Sequence, residues 1–154
     1  MRIGDGAPDF TLADQQGVAR SLAEFRGWWV VLYFYPRDDT PGCTVEACQF
    51  RDDYPGVKSL GAEIVGVSVD NRDRHEKFSR KYRLPFPLLS DADGRVAKLY
   101  GALCDLWLLR FAKRHTFLID PQGRVAKIYR DVSPRVHSRE VIADLRALQQ
   151  AAPQ

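Results

Sequence analysis

Residues 28–48 decide the fold of this chain, and they read WWVVLYFYPRDDTPGCTVEAC. The first part of this stretch, Trp28–Tyr35, is a continuous apolar, aromatic and β-branched run, which is typical of a strand buried on both faces. Residues 36–42 contain two prolines and a glycine and interrupt the strand. The next segment, Thr44–Tyr54, predicts a helix that ends before Pro55. The stretch therefore predicts a buried strand, a short loop and a helix that begins beside a cysteine.

Strands and helices alternate along the rest of the chain. A second buried strand is predicted over Ala62–Val69, and a turn sequence between His115–Ile119 and Arg124–Tyr129 predicts a hairpin. A small N-terminal β-hairpin is predicted from Phe10–Leu12 and Val18–Ser21. The remaining predictions are helices over Arg72–Tyr82, Arg95–Tyr100 and Ser138–Gln149 and a short strand over Phe86–Leu89. This order indicates an α/β fold with a central mixed β-sheet flanked by helices, in a single domain over residues 1–154.

Cys43 is the candidate nucleophile of this chain. It lies at the start of the predicted helix, where unpaired backbone N–H groups and the helix dipole favour negative charge. A thiol in this position loses its proton more readily, and the thiolate is the reactive form. Thr40 is expected to place a hydroxyl near the sulfur, and Pro36 and Pro41 to stiffen the loop. The competing interpretation is an inert buried cysteine, because cysteine is among the most buried residue types.

Cys48 lies five residues after Cys43, and this spacing limits what the pair can do. On a continuous α-helix the two Cα atoms would be about 8.6 Å apart, beyond the ~7 Å that a disulfide spans without backbone movement. A bond between them therefore requires the helix start to unwind. The spacing differs from the Cys-x-x-Cys of disulfide oxidoreductases, and no second cysteine/histidine pair follows at zinc-ligand spacing. His75, His115 and His137 are scattered, and we interpret them as surface or packing residues.

The segment resembles the active-site motif of the peroxiredoxins, Pro-x-x-x-Thr-x-x-Cys, in Pro36, Thr40 and Cys43. The offset to Cys48 is similar to that of the bacterioferritin comigratory protein (peroxiredoxin Q) subfamily. Further matching segments are Gly6–Leu12, Phe34–Pro36, Gly66–Ser68, Leu88–Asp91 and Thr116–Asp120. The resemblance implies a thioredoxin-like fold, which agrees with the alternation of strands and helices.

The resemblance also implies a reaction. Arg114 stands where the family has an arginine before a Thr-Phe strand, although a solvated arginine at a strand edge is the alternative. Cys43 is expected to reduce hydrogen peroxide and organic hydroperoxides and become a sulfenic acid, and Cys48 to resolve it as an intramolecular disulfide. A thioredoxin-like reductant is expected to reopen that bond, with no metal or organic cofactor. Glu46 is a candidate for tuning proton transfer, or simply a carboxylate at a favourable helix start.

Composition indicates a soluble globular protein, with 45% hydrophobic and 28% charged residues. The net charge of +3 is spread along the chain, so we expect no nucleic-acid partner. No apolar run approaches the ~20 residues of a membrane span, and the N-terminus has no secretory signal. We therefore expect a cytoplasmic protein without a membrane partner.

Residues 102–111 are short and apolar where the family often has a longer polar loop. They form either part of the core or a partly exposed patch beside the site for a dimer partner, a reductant or an apolar peroxide, and we favour the patch. We expect a monomer or weak homodimer, with Cys104 as a packing residue. Two other functions remain open. One is a peroxide-sensing redox switch that signals to a partner without appreciable turnover, and the other is a general disulfide oxidoreductase, which the cysteine spacing disfavours.

Overall fold

A computed structural model describes residues 1–151, and a five-stranded mixed sheet forms its centre. The strands of this sheet are β3 (Trp29–Phe34), β4 (Ala62–Ser68), β5 (Leu88–Ser90), β8 (Thr116–Ile119) and β9 (Val125–Tyr129). Their spatial order is β5-β4-β3-β8-β9. Strand β3 is parallel to β4 and antiparallel to β8, and β4 is parallel to β5. The central mixed sheet predicted from the sequence is confirmed, with the aromatic strand in its middle.

Alternate side chains of β3 enter two separate cores. Val30, Leu32 and Phe34 belong to one cluster, and Val31 and Tyr33 belong to the other. All five are at most 1% exposed, which explains why this strand shows no polar alternation. Packing on both faces therefore holds the end of β3 in place, so the loop that follows begins at a well-defined position.

Four α-helices flank the sheet. They are α1 (Pro41–Ser59), α2 (Arg72–Tyr82), α3 (Arg95–Leu99) and α4 (His137–Ala151). Buried residues of α1, α2 and α4 share a core with Val31 and Tyr33, whereas those of α3 pack on the opposite side of the sheet. Asn71 caps α2 by accepting a hydrogen bond from the backbone N–H of Arg74. Helices on both faces were predicted, and the thioredoxin-like architecture is confirmed.

The prediction that the first helix ends before Pro55 was wrong. Helix α1 begins at Pro41 and continues through Pro55 to Ser59. A proline removes one backbone hydrogen bond and tends to kink a helix, but packing on both sides of it offsets this cost. Val57 beyond the proline is fully buried, and the hydroxyl of Tyr54 donates to Glu63 at 2.7 Å.

Two small antiparallel hairpins lie outside the main sheet. The predicted N-terminal hairpin is formed by β1 (Thr11–Ala13) and β2 (Ala19–Ser21). The second pairs β6 (Leu103–Leu106) with β7 (Leu109–Ala112) in the apolar segment, where no strands were predicted. The base of the second hairpin is buried and its tip is exposed. Within residues 1–151 no helix is long and apolar enough to cross a membrane.

Candidate active site

Cys43 lies in the first turn of α1, close behind the end of β3. Thr40 is the N-cap of the helix, Pro41 is its first residue, and the backbone N–H of Thr44 donates to the carbonyl of Thr40 at 2.8 Å. A proline fits this position because its missing N–H has no helical partner there in any case. The Cys43 side chain is 1% exposed. The sulfur is therefore held in a shielded position at the positive end of the helix.

Arg114 joins Cys43 to a second side chain of the same helix. Its Nη2 lies 3.4 Å from the sulfur of Cys43, and its Nη1 donates to Oε1 of Glu46 at 2.9 Å. Arg114 comes from the short segment between β7 and β8. Its side chain retains about a fifth of its exposure. The guanidinium fork thus brings one fixed positive charge to both the thiol and a carboxylate.

Glu46 is a buried carboxyl with a single partner. It is 1% exposed, and its Oε2 has no hydrogen-bond partner among residues 1–151. Burial raises the pKa of Glu46 to about 7, although the positive charge of Arg114 acts in the opposite direction. Burial lowers the pKa of Arg114, but the same carboxyl and the sulfur of Cys43 together outweigh it and raise the pKa, so Arg114 stays charged. Glu46 therefore changes its protonation near neutral pH, one helical turn from Cys43.

Gly42 gives Arg114 the space it needs. A Cβ atom on Gly42 would lie 3.0 Å from Nη2 of Arg114, closer than almost all real contacts of this kind. The same Cβ would lie 3.8 Å from Pro134, which belongs to the segment before α4. The absent side chain thus lets the guanidinium approach the helix start and reach the sulfur.

Comparison with known proteins shows the family to which this chain belongs. The model of the AhpC/TSA family matches residues 3–128. Peroxiredoxin Bcp of Bacillus subtilis is 42% identical over 95% of this chain and 96% of its own length. The chain belongs to the peroxiredoxin family. It falls in the Q/Bcp group, as the sequence motif predicted.

Solved structures of peroxiredoxins superpose closely on this one. The peroxidoxin BcpB of Mycobacterium tuberculosis matches with a TM-score of 0.91 and 39% identity, over 97% of this chain and 99% of that one. The bacterioferritin comigratory protein of Xanthomonas campestris matches with a TM-score of 0.88 and 33% identity, over 96% and 97% of the two chains. That protein is described as having alkyl peroxide reduction activity.

Thr40 and Pro36 border the peroxiredoxin site. The hydroxyl of Thr40 donates to the backbone carbonyl of Arg37 at 2.9 Å, which closes the loop before α1. Its only hydrogen bond within the described residues is therefore to the backbone, and a contact with an incoming peroxide stays a prediction. Pro36 is half-buried two residues after the end of β3, where its ring restricts the direction in which the chain leaves the sheet.

Cys48 is a free thiol further along the same unbroken helix. It is half-buried, and neither it nor Cys43 nor Cys104 takes part in a disulfide. Burial raises the pKa of Cys48. The positive charge of Arg51 opposes this shift, and the negative charge of Asp52 adds to it. Cys48 is therefore kept as a thiol while the helix is intact. Cys104 is half-buried in β6 opposite Phe111, as expected of a packing residue.

A buried contact between Asp38 and His75 anchors the loop before α1, and the sequence did not predict it. Asp38, 2% exposed, accepts from the hydroxyl of Tyr35 at 2.6 Å and lies 2.6 Å from Nδ1 of His75. The other ring nitrogen of His75 lies 2.9 Å from the carbonyl of Leu89. Both nitrogens of this ring thus lie within hydrogen-bond distance of an oxygen atom. His75 is fully buried on α2 and ties that helix to the loop.

Asp70 completes the anchor. Its carboxylate accepts from the backbone N–H of Asp38 at 2.8 Å, from Ser68 at 2.6 Å and from Arg74 at 2.9 Å. Asp38, Asp70 and His75 are also the one group of three metal-ligand side chains that converge within residues 1–151. Because their atoms are engaged with one another and with Arg74, we interpret the group as a structural anchor.

The sequence left two alternatives for the three histidines, surface residues or packing residues. All three are buried, so the surface alternative was wrong and the packing alternative is confirmed. His137 contacts Thr116 through Nε2 at 2.9 Å and Glu140 through Nδ1 at 3.1 Å. The contacts among Tyr35, Asp38 and His75 were not predictable from the sequence, because these residues are spread over forty positions. Only the parallel pairing of β3 and β4 brings their segments together.

Proposed function

We propose that the Cys43 thiolate attacks the nearer oxygen of a hydroperoxide. The proximity of Nη2 of Arg114 to Sγ of Cys43, at 3.4 Å, carries this proposal. A permanent positive charge beside the sulfur stabilises the negative charge that develops on a peroxide oxygen during the attack. Membership of the peroxiredoxin family already supports thiol-dependent peroxidase activity, so the proposal concerns which residues perform it.

The first chemical step oxidises the sulfur and reduces the peroxide. A bond forms between Sγ of Cys43 and one oxygen, the O–O bond breaks, and the second oxygen takes a proton and leaves as water or alcohol. Arg114 and the backbone N–H groups at the start of α1 are aimed where negative charge develops, and the hydroxyl of Thr40 lies in the same loop. Glu46, with its pKa near 7, is suited to exchange the proton that leaves Cys43.

Cys48 is proposed to resolve the sulfenic acid. Its thiol sulfur attacks Sγ of Cys43, the S–OH bond breaks, and water leaves as the disulfide forms. Because five helical residues separate the two Cα atoms by about 8.6 Å, the first turns of α1 must unwind for this step. Unwinding exposes Cys48 and removes the burial that raises its pKa, so the attacking thiolate becomes more available.

Hydrogen peroxide and organic hydroperoxides are the proposed substrates. The alkyl peroxide activity of the Xanthomonas campestris relative supports the organic class. A thioredoxin-like dithiol protein is proposed to reopen the Cys43–Cys48 bond by thiol–disulfide exchange, which makes the enzyme an atypical two-cysteine peroxidase. The peroxiredoxin family implies a reductant of this type.

Peroxide-dependent NADPH oxidation with thioredoxin and thioredoxin reductase tests this proposal. We expect turnover in the wild-type protein, none in Cys43→Ser, and turnover unchanged in the control Cys104→Ser. Cys48→Ser should consume one peroxide per chain and stop as a sulfenic acid, which mass spectrometry after dimedone labelling detects. Sustained turnover of Cys48→Ser would refute the resolving role. Formation of the disulfide without turnover would favour the peroxide-sensing switch.

A further inference from the structure

The hairpin formed by β6 and β7 carries an exposed apolar tip of four consecutive residues. We call residues 106–109 the apolar tip. Trp107 is 95% exposed and Leu108 is 91% exposed, and their neighbours Leu106 and Leu109 are 56% and 47% exposed. Single exposed apolar residues are common on soluble proteins, but a contiguous group of this kind indicates an interaction site.

Neither packing nor turn geometry accounts for these residues. Leu106 and Leu109 face each other in the ladder, so Trp107 and Leu108 form a two-residue turn. Such turns favour asparagine and glycine because their backbone adopts positive φ angles at low cost. Trp107 has a φ of +29°, a conformation that bulky side chains rarely adopt. The chain thus places its largest side chain where it is both unpacked and conformationally unfavourable.

The base of the hairpin is firmly attached to the domain. Ala102 and Ala112 are buried, and Leu103 packs against the core cluster that contains α3. Arg110 donates from Nη1 to the carbonyl of Asp93 at 3.2 Å, and its Nε lies 3.4 Å from Asp105. The apolar tip therefore projects from a fixed support and is not a collapsed loop.

Positive charge surrounds this support. The exposed cations on the hairpin, on the residue that follows it and on the neighbouring α3 are Arg95, Lys98, Arg110 and Lys113. They outnumber the exposed carboxylates nearby, which are Asp105 on the hairpin and Asp93 in the turn before α3. Two copies joined through their tips would bring these cations together, which costs free energy. A surface of negative charge would instead be attracted.

The size and shape of the apolar tip also distinguish the possible occupants. Four side chains exposed to this extent present roughly 600 Å², less than the ~800 Å² per partner of a standard protein interface. Trp107 and Leu108 are exposed on nearly all sides, whereas a flat protein surface covers a projecting side chain on one side only. The interfacial layer of a bilayer surrounds such a tip. Tryptophan is enriched at that depth, and basic residues interact with anionic headgroups around it.

We propose that the apolar tip inserts into the interfacial layer of an anionic phospholipid bilayer, with Arg110, Lys113 and the cations of α3 on the headgroups. This is a peripheral contact and needs no membrane-spanning segment. Strand β7 leads from the tip to Ala112, two residues before Arg114. The chain between Leu109 and Arg114 spans at most about 18 Å, so binding would hold the Cys43 site close to the membrane surface.

Vesicle flotation of the full chain tests this proposal. The probes are vesicles of phosphatidylcholine alone and vesicles of phosphatidylcholine mixed with phosphatidylglycerol. We expect the wild-type protein to float with the mixed vesicles and to bind more weakly as salt is added. The double variant Trp107→Asn, Leu108→Gly supplies favourable turn residues and removes the apolar surface. Its partitioning should fall at least about tenfold, since the lost burial of two large apolar side chains exceeds 1.4 kcal/mol.

Two controls keep the proposal falsifiable. Trp28→Ser removes an exposed tryptophan elsewhere on the molecule and should float like the wild type. Thermal unfolding of the double variant should occur at the same temperature as the wild type or higher, which shows that the hairpin persists. No flotation of the wild type with mixed vesicles, or equal flotation of the double variant, would overturn the proposal. If the wild-type protein forms a concentration-dependent dimer and the double variant does not, the apolar tip binds a second copy of this chain and the proposal is overturned.

Discussion

A Cβ atom on Gly42 would lie 3.0 Å from Nη2 of Arg114, the same nitrogen that lies 3.4 Å from the sulfur of Cys43. The residue directly before Cys43 thus limits how closely the guanidinium approaches the sulfur. The Arg114 side chain is also held by Glu46 at 2.9 Å, so it has limited freedom to move aside.

Gly42→Ala should therefore slow peroxide reduction. The added methyl displaces Nη2 from Sγ of Cys43, and small misplacements of catalytic groups cost roughly 10- to 100-fold in rate. Stopped-flow measurement of the reaction of the reduced enzyme with hydrogen peroxide checks this. Gly56→Ala is the matched control in the same helix, because its Cβ would meet Ile142 at an ordinary 3.7 Å. An unchanged rate in Gly42→Ala would show that Arg114 tolerates the displacement.

Arg114→Lys should reduce kcat/KM for hydrogen peroxide by about 100- to 1,000-fold, the usual cost of losing one preorganised donor to a developing anion. A lysine keeps the charge but is unable to contact Cys43 and Glu46 at once through a planar fork. Arg110→Lys, on the exposed hairpin, should leave the same parameter unchanged. A similar loss in both variants would argue against a specific role for Arg114.

Glu46 should make the stability of the protein fall as pH rises. Its pKa is raised from 4.5 to about 7 in the folded state, so the folded protein binds the proton more tightly than the unfolded chain. The stabilisation is complete below pH 4.5 and is lost as pH rises through 7, by up to roughly 3 kcal/mol. Urea unfolding at pH 5 and pH 8 should show a smaller decrease for Glu46→Gln. Identical pH dependence in the two proteins would contradict the raised pKa.

Asp38→Asn should destabilise the protein strongly. Asp38 accepts from the Tyr35 hydroxyl with one oxygen and contacts His75 with the other, and an asparagine keeps only one acceptor oxygen. A buried partner left without its hydrogen bond typically costs about 1–3 kcal/mol. Asp39→Asn changes the adjacent carboxylate, which is exposed and bonded to Lys81 and Tyr82, and should alter unfolding in urea little. Asparagine also tolerates the positive φ of 58° at position 39. Equal midpoints for the two variants would show that the His75 contact adds no stability.

The sequence predicted the central sheet and the position of Cys43 because these depend on local patterns. The apolar run over residues 28–35 has one plausible structure, and a proline and a glycine before a cysteine mark a helix start. Arg114 was placed by resemblance to the peroxiredoxins. Its two contacts, one to sulfur and one to Glu46, required the pairing of β3 with β8 in space.

Three features were out of reach of sequence reasoning. The rule that a proline ends a helix gave the wrong end for α1, because tertiary packing around Pro55 outweighed a local preference. The pair of Asp38 with His75 joins residues far apart in the chain. The hairpin over residues 103–112 has an apolar turn that no turn rule describes.

Pro55 divides α1 into two parts that can open at different free energies. Proline donates no backbone hydrogen bond, so the ladder of the helix is interrupted after the turn that holds Cys48. Beyond it, Val57 is buried, and just before it Asp53 accepts a 2.6 Å hydrogen bond from Ser138 of α4. Amide hydrogen exchange should therefore resolve two cooperative units within one helix, one on each side of Pro55. Oxidation and re-reduction of the cysteines would then cycle the first unit while Val57 keeps the second unit packed in the core.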